Sequence, residues 1–89
     1  MSQFSVLKEV ADERNRQENK WGEQNHSPEI YLMILGEEVG DANKAALEYN
    51  FDGKSLDDYR KELIQVAAVA VAMVESYDRN KVNHQNNKP

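Results

Sequence analysis

The sequence predicts an all-α fold in which three main helices form one small domain. Apolar residues recur three and four positions apart over long stretches, which is the spacing of one face of a helix. The 4 glycines and 2 prolines are sparse, and most fall where a helix would begin or end. No segment alternates polar and apolar residues as a strand does. The chain of 89 residues has room for one domain, predicted over residues 1–80, followed by a polar tail over residues 81–89.

The first helix is predicted to run from the N-terminal residues to about Trp21. Ser2 or Ser5 can serve as its N-cap, and Gly22 can end it. Four apolar residues lie at helical spacing before a strongly charged run over residues 12–20: Phe4, Leu7, Val10 and Ala11.

The second helix has the clearest start signal. Ser27 is an N-cap residue, Pro28 suits the first helical position, and Glu29 places an acid in the first turn. The helix is predicted to reach about Tyr49, with a turn over residues 50–53. At about 100° per residue, one arc collects the expected core stripe: Tyr31, Leu32, Leu35, Val39, Ala42 and Ala46. A polar flank beside it carries Glu37, Asp41, Lys44 and Glu48, with Glu38 at the edge between flank and stripe.

The third helix is predicted to begin near Ser55, with Asp57 and Asp58 in its first turn, and to run to about Arg79. One side of it aligns Asp58, Glu62, Gln65, Val69 and Met73. The tail over residues 81–89 is polar and rich in asparagine, which predicts a frayed or disordered segment.

Composition excludes several classes of protein. The chain has no cysteine, so it has no disulfide, no thiolate nucleophile and no Cys-based zinc site, and its 2 histidines cannot form a closed structural zinc site. With 11 Lys and Arg against 16 Asp and Glu, the net charge of −5 argues against a surface that binds nucleic acid or a membrane. The first residues lack a basic segment followed by an apolar one, so a cytoplasmic location is expected.

One dense apolar run, VAAVAVAMV over residues 66–74, contrasts with a mean hydropathy of −0.85. It is too short to span a membrane, which needs about 20 residues, yet it is apolar around the whole helix and so should be buried all round. Two other helices can cover it only in part. The run therefore predicts a homodimer or tetramer whose third helices pack together in a four-helix-bundle type core; a monomeric bundle covered by the first helix is the alternative.

The acidic residues of the second and third helices predict a metal site. Glu38 and Asp41 lie three positions apart, where like charges repel, and Glu38 borders the apolar stripe, where an unpaired carboxylate is costly to bury. A divalent cation would relieve both problems. Glu62 offers a third carboxylate and Gln65 a further oxygen on the facing helix, which together predict Mg²⁺, with Mn²⁺ as a substitute ion.

These motifs resemble those of the all-α nucleoside triphosphate pyrophosphohydrolases, the MazG-like and dimeric dUTPase-like superfamily. The family pattern has EExxE or EExxD followed later by ExxD. Here the first motif reads EEVGD at residues 37–41 and the second reads ELIQ at residues 62–65. The preceding segment KWGEQNHSPE, residues 20–29, also resembles the approach to the first motif, where a Trp and a His help to shape the base pocket. The resemblance covers about residues 4–79.

The resemblance implies an oligomeric helical bundle that hydrolyses a nucleoside triphosphate to the monophosphate and pyrophosphate with Mg²⁺, as in cleansing of the nucleotide pool. It implies metal ligation by Glu38, Asp41 and Glu62, and a role for Glu37 as base or positioner of the attacking water. Gln65 stands where the family has Asp. Either three carboxylates and the substrate's phosphate oxygens suffice, or Asp58 substitutes, or metal affinity and turnover are reduced.

Three residues are candidates for substrate binding. Trp21 can stack a nucleobase or cover the corner between the first two helices, and His26 can contact the ligand or be an ordinary polar loop residue. Lys44 can pair with a phosphate or with Asp41. Further cations without a spacing argument are Arg14, Arg16 and Lys20.

Two other classes of function stay open from the sequence. One is a non-catalytic module that binds nucleotide and has lost full metal ligation at Gln65. The other is a helical interaction protein whose acidic residues only solvate its surface.

Overall fold

Three helices form the fold in the computed structural model, which describes residues 2–86 and their side chains as far as residue 81. Helix α1 spans Gln3–Trp21, α2 spans Pro28–Asp52 and α3 spans Asp57–Asn86. No strand occurs over residues 2–86. The predicted all-α class and the number of helices are confirmed.

The starts of the first two helices follow the capping residues in the sequence. The Ser2 side chain accepts a hydrogen bond from the Ser5 amide at 3.1 Å, and Ser27 accepts one from the Ile30 amide at 3.4 Å. Pro28 occupies the first position of α2, where its missing N–H leaves no hydrogen bond unmade. Gly22 follows the last residue of α1, as predicted.

Two helices are longer than predicted. The turn expected at residues 50–53 is wrong in part, because α2 continues to Asp52 and ends only at Gly53, whose φ of 71° is left-handed and suits glycine. Helix α3 continues past Arg79 to Asn86, since neither glycine nor proline interrupts it there. The last part of the predicted tail, residues 87–89, lies outside the described residues.

Helix α3 is the central element, because both α1 and α2 pack against it. The Glu9–Arg60 and Arg14–Glu75 pairs join α1 to α3 in ascending order, so these two helices run parallel. Asn25, just before α2, contacts Ser76, whereas Glu38 further along α2 lies beside Glu62. Helix α2 is therefore antiparallel to α3, and the chain runs up, down and up.

The core is thin, and one predicted stripe is displaced. Among the residues whose side chains the structure describes, six apolar ones are buried: Val10, Tyr31, Ala42, Ala45, Ala68 and Val69. Leu32 and Val39 were predicted to be core residues but are 59% and 41% exposed, because α2 turns Ala45 rather than these two side chains toward α3. Within the apolar run of α3, Val71 and Val74 are also exposed, so a single chain does not bury this run all round.

No helix in the described part of the chain is long and apolar enough to cross a membrane.

Candidate metal centre

Carboxylates from α2 and α3 meet in one cluster. Glu38, Asp41 and Glu62 each place an oxygen so that all three atoms lie within 4.8 Å of one another. Glu38 and Glu62 are half-buried and Asp41 is exposed, so the cluster is open to solvent on one side. The sequence spacing predicted this meeting of the two helices. We name Glu38, Asp41, Glu62 and the adjacent Gln65 the acidic cluster.

Gln65 contacts two carboxylates of the acidic cluster through its amide. With Nε2 directed at them, the amide donates to Glu62 Oε2 at 2.8 Å and to Glu38 Oε2 at 3.3 Å. Turned the other way, the same amide presents Oε1, a neutral oxygen ligand, to the centre of the cluster. Gln65 can therefore hold the carboxylates together in one orientation and contribute to cation binding in the other.

Glu38 is the electrostatically strained member of the acidic cluster. Burial raises its pKa above the usual value of 4.5, and repulsion by Asp41, Glu62, Glu37 and Glu13 raises the pKa further. All five contributions disfavour the ionised carboxylate, and none is opposed by a basic side chain. A bound cation would reverse this balance, because it favours the charged form.

Helix α1 and helix α3 each bring to the site one residue that the sequence did not indicate. Glu13 is close enough to raise the pKa of Glu38, while its own pKa is lowered by its hydrogen bond with Arg16. Lys61 lines a groove of 310 Å³ together with Glu13 and Gln65, which makes it a candidate contact for a phosphate. The sequence shows both residues only as members of charged runs, and nothing in those runs separates a site residue from a solvated one.

Trp21 lies at the end of α1, beside residues of α2 and α3. It is the last residue of α1 and is 55% exposed, and Lys20 Nζ lies 4.8 Å from the centre of its ring. It lines a small cleft of 70 Å³ with Tyr31, Ile34 and Arg14, among others. A cleft of that volume holds only about two waters, so a nucleobase would enter only if the exposed indole moved.

His26 lines a different and larger cleft. This cleft has a volume of 640 Å³, is mostly apolar, and lies on the side of α3 that carries Val74 and Tyr77. His26 is half-buried and packs edge-on against Tyr31, with 5.0 Å between the ring centres. Tyr31 lines both clefts, so Trp21 and His26 are connected through it rather than facing one ligand together.

The remaining predicted residues lie around the acidic cluster or outside it. Glu37 is exposed on α2 and contributes to the raised pKa of Glu38. Lys44 is exposed and helps to lower the pKa of Glu48. Asp58, considered as a substitute ligand, is exposed and is absent from the three converging carboxylates found among the described residues.

Comparisons with known proteins give no further assignment. No family model, no curated protein and no solved structure matches this chain.

Proposed function

We propose that this protein is a Mg²⁺-dependent nucleoside triphosphate pyrophosphohydrolase, which converts a nucleoside triphosphate and water to the monophosphate and pyrophosphate. One observation carries the proposal: two facing helices bring the oxygens of Glu38, Asp41 and Glu62 within 4.8 Å of one another, with the Gln65 amide beside them. The EEVGD and ELIQ motifs that supply these residues resemble those of the all-α pyrophosphohydrolases.

The acidic cluster fits Mg²⁺ by its chemistry and nearly by its dimensions. All four side chains offer oxygen, the ligand this ion prefers. Octahedral Mg²⁺ with bonds of about 2.1 Å sets neighbouring ligands about 3.0 Å apart and opposite ones about 4.2 Å apart. At most one pair of the three can be opposite, so separations of up to 4.8 Å would have to shorten by as much as about 1.8 Å, which rotation of the long glutamate side chains allows. With three carboxylates from the protein, room is left for water and phosphate oxygens.

The chain's own residues have distinct tasks in this proposal. A bound cation would neutralise the negative charge that develops on the leaving pyrophosphate. Glu37, exposed beside the acidic cluster, accepts the proton of the attacking water. Trp21 and Tyr31 form the side of the base site, and His26 positions Tyr31 by packing on its ring. Lys44 and Lys61 are the cations from which a phosphate contact is expected.

The proposal includes self-association into a homodimer or tetramer with a four-helix-bundle type core. The exposed Val71 and Val74 in the apolar run of α3 support it, as does the thin core of the single chain. Membrane and nucleic-acid partners have no part in the proposal, and a cytoplasmic location stays an expectation.

The test is release of pyrophosphate from a panel of nucleoside triphosphates with Mg²⁺ or Mn²⁺. We expect turnover with at least one substrate, its loss with EDTA, and a fall of about 100-fold or more for Glu38→Gln, since even residues that only orient a metal ligand contribute 10- to 100-fold. Glu29→Gln is the matched control, because it makes the same change at an exposed position on the same helix. The absence of turnover across the panel with either ion would contradict the proposal.

A second candidate, a non-catalytic nucleotide-binding module, is favoured by the contacts of Gln65. Its amide can hold Glu62 and Glu38 together by hydrogen bonds without any ion. This candidate predicts saturable nucleotide binding by calorimetry, together with no pyrophosphate release in the same buffer.

A further inference from the structure

We infer that Arg14 and Gln17 of α1 recognise the base of the substrate, and that this base carries a carbonyl oxygen next to a ring N–H. Uracil, thymine, hypoxanthine and guanine have such an edge, whereas cytosine and adenine carry an amine there. The inference rests on the proposed function, whose base site beside Trp21 and Tyr31 it deepens by naming the class of base.

Arg14 is a buried cation with a hydrogen-bond donor to spare. The residue is 8% exposed and lines the 70 Å³ cleft beside Trp21. Its Nε donates to Glu75 Oε1 at 2.6 Å and its Nη2 to Glu18 Oε1 at 3.5 Å, whereas Nη1 donates to no described residue. The described part of the chain holds no side-chain nitrogen or oxygen that is both buried and unpartnered. Nη1 is therefore accessible, and the cleft is accessible space that Arg14 lines.

Gln17 supplies an acceptor beside this donor. It follows Arg14 by three residues, which places both on one side of α1, and it is buried and lines the same cleft. Its Nε2 donates to Glu13 Oε2 at 3.1 Å. A hydrogen bond with Arg16 lowers the pKa of Glu13, so this carboxylate is ionised and can only accept, which fixes the orientation of the amide. Gln17 Oε1 has no donor among the described residues and is accessible for the same reason as Nη1 of Arg14.

This donor and acceptor match one class of base. Arg14 can donate to a carbonyl oxygen while Gln17 accepts from the neighbouring ring N–H. In cytosine and adenine the order is reversed, with an amine next to a ring nitrogen that has no proton. The amine would face a guanidinium that can only donate, so both groups would lose their partners. Sites that hydrogen-bond their substrate reject such analogues strongly for this reason.

The cleft lies where a nucleotide would place its base. On α2, Ile34 lines the cleft and precedes Glu38 by four residues, which is about 6 Å along the helix. On α3, Val69 lines the cleft and follows Gln65 by four residues, again about 6 Å. Both steps lead in the same direction because the two helices are antiparallel. A ribose bridges a similar distance, so a base in the cleft would leave its phosphates at the acidic cluster.

Trp21 can admit the base by moving outward. Its indole is exposed at the end of α1, and Lys20 Nζ lies 4.8 Å from the centre of its ring. The indole thus has one face in contact with a flexible, solvated side chain, which a base can replace by stacking. Outward rotation would enlarge the cleft beyond its present 70 Å³ and bring the stacked base toward Arg14.

The experiment compares nucleotides that differ only at this edge of the base, UTP with CTP and ITP with ATP. Pyrophosphate release with Mg²⁺ gives kcat/KM for each triphosphate. Binding of the monophosphate products UMP, CMP, IMP and AMP is followed by the fluorescence of Trp21, the one tryptophan of the chain. We expect the wild type to favour UTP over CTP and ITP over ATP by about 10-fold, with the same preference among the monophosphates. Each ratio comes from one protein sample and therefore does not depend on the folded fraction.

Two variants assign the preference to these side chains. Arg14→Gln replaces a group that only donates by an amide that can also accept from an amine, so both ratios should fall to about 3-fold or less. Gln17→Leu removes the acceptor, leaves Arg14 in place and should also lower the ratios. Lys8→Gln is the control, since it removes a cation at an exposed position of the same helix and should keep the wild-type ratios.

The outcomes separate this inference from the proposed function. Pyrophosphate release without a preference in either pair would overturn the inference and leave the proposed function standing. A folded Arg14→Gln with wild-type ratios would overturn the inference as well, as would a Gln17→Leu with wild-type ratios if circular dichroism shows that Arg14→Gln is unfolded. Preferential binding of UMP and IMP without pyrophosphate release would support the inference and count against the proposed activity. Neither binding nor turnover with any of these nucleotides would overturn both.

Discussion

Glu38 destabilises the folded protein when its carboxylate is charged, and a bound cation would remove this effect. Its carboxylate is half-buried and faces other carboxylates, and both effects raise its pKa above 4.5. The folded chain therefore binds a proton at this position more tightly than the unfolded chain does. The stability that this one group contributes is fully present below about pH 4.5 and is lost as the pH rises through the folded-state pKa of Glu38. Above that pKa, the folded protein retains a charge repulsion that a cation would remove.

Replacing Glu38 with Gln should stabilise the metal-free protein at neutral pH. The change removes the repelled charge and keeps the size of the side chain, so in EDTA at pH 7 we expect a rise in Tm of about 4–8 °C, the shift that roughly 1 kcal/mol gives in a domain of this size. Thermal denaturation followed by circular dichroism measures it. The difference should shrink as the pH falls below 4.5, since Glu38 then becomes protonated in the wild type. A lower Tm for Glu38→Gln at pH 7 in EDTA would contradict this account of the acidic cluster.

The same variant should lose the response to metal. Mg²⁺ at a concentration 100 times its Kd stabilises a protein that binds it only when folded by about 2.7 kcal/mol. We expect a clear rise in Tm for the wild type and for Glu29→Gln, and little or none for Glu38→Gln. Glu37→Gln should retain the rise, because Glu37 is proposed to act on water rather than on the ion.

The sequence predicted the positions of the helices better than it predicted which side of each helix is buried. Ser27, Pro28 and Gly22 act locally, so the boundaries they define were readable from the sequence. The meeting of Glu38 with Glu62 was also readable, because it follows from spacing on two facing helices. The exposure of Leu32 and Val39 was not, since a helix that is apolar on most sides does not reveal which side meets its own chain. Glu13 was missed because its role depends on where α1 packs.

The Asn25 side-chain oxygen joins the loop between α1 and α2 to α3, together with contacts of Arg79 with the Gln24 carbonyl and with Glu23. Asn25 Oδ1 accepts hydrogen bonds from Ser76 Oγ at 3.4 Å, from Arg79 Nη2 at 3.0 Å and from Asn80 Nδ2 at 2.9 Å. Asn25→Ala removes this acceptor and should lower Tm by about 5–10 °C, as expected for roughly 1–2 kcal/mol. Asn25→Asp keeps an oxygen acceptor beside Arg79 and should change Tm by only about 2 °C. Equal losses in the two variants would show that the acceptor does not hold the loop.

The whole molecule is more extended than a compact chain of its length. Its radius of gyration is 15.7 Å, against about 12 Å expected for 89 residues in a compact domain. None of its large side chains is fully buried among the described residues. The polar composition that gives a mean hydropathy of −0.85 therefore coexists with apolar surface that a single chain leaves exposed. The proposed self-association would account for this combination if folding and association occur together.

Coupled folding and association should make the thermal stability depend on protein concentration. When a folded dimer melts to two unfolded chains, mass action favours the dimer by about 1.4 kcal/mol for each tenfold increase in concentration. Spread over the unfolding entropy of two chains of 89 residues, this raises Tm by about 3–4 °C per tenfold. Calorimetric or dichroism melts from 1 to 100 μM therefore should shift by about 7 °C for the wild type. A wild-type Tm that does not change with concentration would mean that each chain folds on its own.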